Sequence, residues 1–170
     1  AARHWYSNLL YAIGRLDESL EEIERAVALD PMSPVLRVAQ GIALAAQGRF
    51  LDAEKAYRKA ATIDPLLPGS YSSLSDLSAY AFGRPADAVP FARKAMALNP
   101  GGSVYVAVLA IVLDDLGESP EAMRLMVDAA RRWPDSAVAQ WPAAYFRASA
   151  GDWHAASQSA RKALAIEPRD

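Results

Sequence analysis

The sequence predicts an all-α fold, a right-handed α-solenoid of about five antiparallel helix pairs. Three observations lead there. Gly14, Gly48, Gly83, Gly117 and Gly151 stand 34, 35, 34 and 34 residues apart. Each is followed seventeen residues later by a proline: Pro31, Pro65, Pro100, Pro134 and Pro168. Two columns of small residues keep the same phase, Ser19, Ala53, Ala88, Ala122 and Ala156, then Ala26, Ala60, Ala95, Ala129 and Ala163. A period near 34 that fills the chain means stacked supersecondary units, each burying its apolar face against its neighbours. Small residues in register mark close helix–helix approach, where a larger side chain would overpack.

Each unit reads as a first helix, a turn at glycine, a second helix and a stop at proline. The array occupies 1–170 as one domain, with repeats at approximately 1–33, 34–67, 68–102, 103–136 and 137–170. Glycine ends the first helix because it takes positive φ at no steric cost. Ser119-Pro120-Glu121 reads as an N-cap, a first-turn proline and an acid near the helix N-terminus. Asp17-Glu18 and Asp152 play similar parts. Asp30-Pro31, Asp64-Pro65, Asn99-Pro100, Trp133-Pro134 and Glu167-Pro168 stop the second helices, because the residue before proline is pushed out of the α region. Pro90 falls inside a second helix, where a local bend is expected. Leu10, Leu44 and Leu113 are expected to be buried against the second helices.

These columns resemble the tetratricopeptide repeat: the turn glycine, two small residues in the second helix, the closing proline and the 34-residue step, in five copies over nearly all of the chain. Three places depart from that pattern. Arg37 and Gln140 stand near an expected aromatic, Arg147 stands where an apolar residue is expected beside Phe146, and one extra residue lies between Pro65 and Gly83, which leaves the third first-helix register open by one position. The resemblance implies a superhelix whose inner, concave surface carries the residues ten, six and three before each glycine. Those are His4, Asn8 and Tyr11; Val38, Ile42 and Ala45; Ser73, Leu77 and Tyr80; Ala107, Ile111 and Asp114; and Trp141, Tyr145 and Ala148. Spacings of four and three put them on one helical stripe.

The partner-binding candidates are therefore His4, Asn8, Tyr11, Val38, Ile42, Tyr80, Ile111, Asp114, Trp141 and Tyr145. Their apolar and aromatic character suits a groove for a partner peptide or helix, and packing between neighbouring helices is the alternative. Val104–Leu113 is apolar on every face, so its helix is central or covered. Only Asn8 resembles the polar set with which some relatives clamp a terminal carboxylate, so no such clamp is expected.

Other functions find little support. The two histidines, His4 and His154, lie in the first and last repeats and do not make a metal site. Asp114, Asp115 and Glu118 cluster without a nucleophile or cofactor motif and read as a solvated helix end. Glu21, Glu22 and Glu24 read as a solvated face. Arg25, Arg58-Lys59, Arg93-Lys94 and Arg161-Lys162 recur on the outer surface, interleaved with acids. At net charge −2 the chain has no basic excess for nucleic acid. It has no cysteine, which removes disulfides and thiolate chemistry. Its longest strongly apolar run, Val104–Leu113, falls short of the about 20 residues that span a bilayer. No signal-peptide pattern is visible, and the compartment expected is the cytoplasm, with the periplasm open.

The sequence thus predicts no enzyme, cofactor or metal. It predicts a protein-interaction scaffold, or alternatively a regulatory or self-association segment of a larger signalling protein. The missing initiator Met and the lack of obvious polar caps suggest a piece of a longer chain. Trp5, Leu9, Leu164 and Ile166 are the candidates for association through uncapped ends.

Overall fold

The computed structural model describes residues 2–166. Among them are ten α-helices and one π-helical turn, with no strand. The helices are α1 (Ala2–Ala12), α2 (Leu16–Leu29), α3 (Pro34–Ala46), α4 (Phe50–Ile63), α5 (Pro68–Asp76), α6 (Pro85–Leu98), α7 (Ser103–Asp115), α8 (Ser119–Arg132), α9 (Ala137–Ser149) and α10 (Trp153–Ile166). The π turn, Leu77–Ala81, continues α5 directly. Pro168 and the stop at Glu167-Pro168 lie outside the described residues.

All five periodic glycines have positive φ, between 64° and 83°, and no other described residue does. Four of the turns share one hydrogen-bond pattern. The amide after the glycine reaches back to the carbonyl five residues earlier: Arg15 to Leu10, Arg49 to Leu44, Glu118 to Leu113 and Asp152 to Arg147, at 2.8–3.0 Å. This backbone closure satisfies carbonyls that the helix end would otherwise leave open.

The third turn differs because of the extra residue. Arg37 donates to the Pro31 carbonyl, Tyr71 to that of Pro65 and Gln140 to that of Pro134. In all three the donor stands six residues after its proline, so α5 starts in the common register. The glycine at its end is one residue late. The π turn takes up that residue, with Phe82 N–H bonded to the Leu77 carbonyl at 3.1 Å. A single inserted residue inside a helix is accommodated as a π-bulge.

The chain divides into two compact units between Gly83 and Arg84. In the first, α1 packs on α2, α2 on α3, α3 on α4 and α4 on α5, while α3 also touches α1 and α5. In the second, α6 packs on α7, α7 on α8, α8 on α9 and α9 on α10, and α7 also touches α9. Both small-residue columns are buried at every position, with Ala53, Ala60, Ala88, Ala95, Ala122 and Ala163 fully so. Leu10, Leu44 and Leu113 are buried against their second helices. The core of the second unit gathers around Leu109, Leu113, Met126 and Phe146.

Two local expectations change, at Ser119 and Glu22. Ser119 is not an N-cap: α8 starts at Ser119 itself, and its hydroxyl donates to Asp114 Oδ1 at 2.6 Å. Asp152 does cap α10, accepting from the Ala155 amide at 3.1 Å. Glu22 is not solvated. It is buried and paired with Arg3 at 2.7 Å and Arg25 at 2.6 Å. Arg147, half-buried, fills its apolar position by donating to the buried Ser159 hydroxyl. As expected, Pro90 lies inside its helix, α6, and α9 likewise contains Pro142.

Candidate functional site

A cavity of about 420 Å³ opens in the first unit, lined by α3, α4, α5 and the π turn. Its apolar walls are Ile42 and Ala45 from α3, Phe50 from α4, and Leu77 and Ala81 from the π turn. Its polar groups are Tyr57, Ser73, Asp76 and Tyr80.

Tyr57 enters from the second helix of its pair. Its ring is buried, nested against the backbone of α3 at Gly41. A Cβ at Gly41 would lie 2.3 Å from the Tyr57 ring, so only glycine admits the ring there. The ring is therefore fixed, and its hydroxyl faces Ser73, Asp76 and Tyr11. Burial pushes that hydroxyl up to about 12; Ser73 acts in the opposite direction, and the Asp76 and Tyr11 charges add to the rise.

Asp76 is the last residue of α5. Counted from Pro65 it stands eleven residues on, as Ile42 does from Pro31 and Ile111 from Pro100. It thus takes the inner-stripe position, and Leu77, the residue counted back from Gly83, is buried beside it. The π turn places Tyr80 on the cavity too, and Tyr80 is mostly exposed. Asp76 as a whole residue is exposed at the cavity mouth. Its carboxyl nonetheless sits against the walls, and burial alone raises it above its ordinary 3.8.

The structure brings Ile42, Ala45, Ser73, Leu77 and Tyr80 of the inner stripe together in this cavity. His4, Asn8 and Val38 do not line it; the His4 ring stacks on Trp5 at 6.2 Å. Sequence reasoning missed Phe50, Tyr57 and Asp76. Tyr57 is the only aromatic in a column otherwise filled by Ile23, Ala92, Met126 and Ala160, with glycine opposite it on α3, and that size mismatch was its signal.

In the second unit, Ile111 and Trp141 are each about two-fifths exposed and Tyr145 more so. The Tyr145 hydroxyl donates to Asp114 Oδ2 at 3.3 Å, while Ser119 holds the other carboxylate oxygen. These residues form a patch of α7 and α9 with its one acid already satisfied. Ala107 is buried instead of facing outward.

On the outer surface the cations are largely paired. Arg25 binds Glu21 and Glu22, Arg58 binds Glu54, and Arg93 binds Glu121. Among the described residues, no group of three or more His, Cys, Asp and Glu could hold a metal ion. No described helix is long and apolar enough to cross a membrane.

A family model described as tetratricopeptide repeat matches residues 7–68. That stretch spans most of the first two helix pairs. Solved structures that resemble the chain over nearly its whole length include a thermophilic TPR protein from Thermus thermophilus, TTC0263. It is 22% identical over 99% of this chain and 92% of that one, with a TM-score of 0.84. PilF of Pseudomonas aeruginosa is 16% identical over 99% of this chain and 77% of that one, at 0.81. YrrB, described as a TPR protein with an unusual peptide-binding site, is 20% identical over 98% and 85%, at 0.62. At these identities the likeness establishes the fold alone. No curated protein matches the sequence.

Proposed function

We propose that this chain is a tetratricopeptide-repeat interaction module that takes a peptide segment of a partner on the inner face of its first unit. The observation that carries this is the cavity itself. Inner-stripe residues of two successive pairs, Ile42 and Tyr80, remain exposed while converging on one walled space, and the fixed Tyr57 ring forms part of its wall. A concave apolar site with a few placed polar groups is the usual form of a ligand site, and exposed aromatic anchors carry much of an interface's energy. The site holds the Tyr57 and Ser73 hydroxyls beside the Asp76 carboxyl, with no histidine, lysine or arginine in its lining to activate a nucleophile or stabilise a developing negative charge, so binding without chemistry is the better reading.

The test is selection from a random 12-residue peptide library displayed on phage, with the selected peptides measured by fluorescence polarisation. Ile42→Ser with Tyr80→Ala should abolish binding while the helical circular dichroism stays. Lys55→Ala, on an exposed side chain outside the cavity, should leave it unchanged. Binding that survives the first pair and fails with Lys55→Ala would move recognition to the outer face.

A second reading, self-association, is favoured by α1. Trp5, Tyr6 and Leu9 of α1 are exposed, as is Ile13 in the turn that follows it. A patch of that kind marks an interaction surface, and a second copy of the chain is its simplest occupant. Sedimentation equilibrium of wild type and Trp5→Ala with Leu9→Ser decides it: a wild-type monomer at high concentration excludes this reading.

A further inference from the structure

The cavity of the first unit has an acid with nothing to balance it. Its lining contains no lysine, arginine or histidine. Asp76 has no ion-pair partner among the described residues, and burial is the only influence acting on its carboxyl. Five other acids of the unit, Glu18, Glu21, Glu22, Asp52 and Glu54, are each paired with a cation, and Asp76 is the acid in the cavity lining. A carboxyl at the mouth of an apolar cavity keeps part of its hydration, and a positive group entering the cavity would compensate for the part it loses.

The rest of the wall suits the same guest. The Tyr57 hydroxyl and the Ser73 hydroxyl lie beside Asp76 and can accept hydrogen bonds. The Phe50 and Tyr80 rings offer aromatic faces at the rim, and such faces attract cations. Ile42, Ala45 and Ala81 supply the apolar surface that an aliphatic stem covers. A neutral apolar guest would cover Asp76 and leave it unpaired; an acidic guest would add a like charge.

We propose that this cavity receives a lysine or arginine side chain of the partner segment, with its stem against Ile42 and Ala81 and its cation between Asp76 and the hydroxyls of Tyr57 and Ser73. This rests on the reading that the inner face binds a peptide. The neighbouring partner residues are then apolar, to meet Phe50 and Tyr80. Asp76 reaches this wall in the register set from Pro65 and Tyr80 in the register set from Gly83, with the π turn between them taking up the extra residue.

The experiment is the 12-residue phage library, selected in parallel on the wild-type chain and on Asp76→Asn. Asparagine keeps the shape and removes the charge, and circular dichroism checks that the variant folds. Wild type should enrich peptides with a lysine or arginine flanked by apolar residues. Synthetic versions of these peptides should bind Asp76→Asn at least about tenfold more weakly, as expected for losing one partner of a desolvated charge pair. Replacing the peptide's basic residue by norleucine should cost wild-type affinity to a similar degree and leave Asp76→Asn affinity nearly unchanged. Enrichment of apolar peptides lacking a basic residue would overturn the basic-guest assignment and leave the peptide-binding reading standing. Basic peptides that bind both proteins equally would remove Asp76 from recognition. Failure of wild type to enrich any peptide would overturn both.

Discussion

The Tyr57 ring occupies the space that a side chain at Gly41 would need, with ring atoms 2.3, 2.6 and 2.8 Å from the position of a Cβ. The ring is buried, so a side chain at Gly41 would have to displace it from its packing. Glycine in mid-helix ordinarily costs about 0.5–1 kcal/mol relative to alanine, so this pair sets helix propensity aside in favour of a fixed aromatic wall.

Gly41→Ala should therefore destabilise the protein by about 1–3 kcal/mol through overpacking, in spite of the better helix former. In a Tyr57→Leu background the same change should be neutral or stabilising, because the clash is gone. Urea denaturation of the four members of this double-mutant cycle measures the coupling. Additive effects would mean that the two residues do not press on each other.

Removing Ser78 should convert the π turn to ordinary helix, since it restores the 34-residue step. Both flanking segments would keep their packing registers, so the melting temperature should hold or rise. Asp76 and Tyr80 would then stand six and three residues before the glycine, as Ile42 and Ala45 do, so both should stay on the inner face and peptide affinity should change by less than about threefold. A variant that stays folded and loses peptide binding would show that the π turn itself shapes the site.

Much of this fold could be read directly from residue columns. The five glycines, the buried alanines and the leucines of the first helices repeat because identical backbone geometry recurs, and repetition makes weak local signals add. The site was less legible because it sits where repetition breaks. Asp76 was displaced by one position since the extra residue could be absorbed anywhere between Pro65 and Gly83, and only the Tyr71–Pro65 hydrogen bond fixes where. Tyr57 belongs to a core column and reaches the cavity only because Gly41 is small. Glu22 looked solvated beside Glu21 and Glu24, and its burial follows from Arg3 on a different helix, a tertiary pairing with no local mark.

Ser75→Ala should stabilise the chain by about 1 kcal/mol, the cost typical of a buried hydroxyl left unbonded. The Ser75 hydroxyl is fully buried without a hydrogen-bond partner. Ten residues after the closing proline, it shares its column with Gly41, Ala110 and Ala144, where no polar group stands. Ser7, in the same column of the first pair, is different: its hydroxyl donates to the Ser19 carbonyl at 2.9 Å, so Ser7→Ala should be destabilising. Thermal denaturation of both variants checks the contrast.

Stability should respond to pH in opposite directions at Asp76 and Glu22. The Asp76 carboxyl is raised by burial, so the folded state holds its proton more tightly than the unfolded chain. Its contribution is greatest at low pH and declines as pH climbs from its ordinary 3.8 through the raised folded value. Glu22 is lowered, chiefly by the hydrogen bond from Arg3. Its contribution is complete above 4.5 and is lost as pH falls through the lowered folded value. Urea midpoints across this range should show Asp76→Asn gaining on wild type as pH rises, and Glu22→Gln losing less than wild type as pH falls.

The cavity bounded by Ile42, Tyr57, Asp76 and Tyr80 is, on this account, where a partner segment binds. Amide NMR of the isotopically labelled protein, titrated with the tightest library-selected peptide, tests this most directly. Shift changes should concentrate at Ile42, Ala45, Phe50, Tyr57, Ser73 and the residues from Asp76 to Ala81, with little change at Arg25, Lys55 and Lys59 on the second helices. Shifts confined to those second-helix residues, with the cavity amides unmoved under saturating peptide, would contradict it.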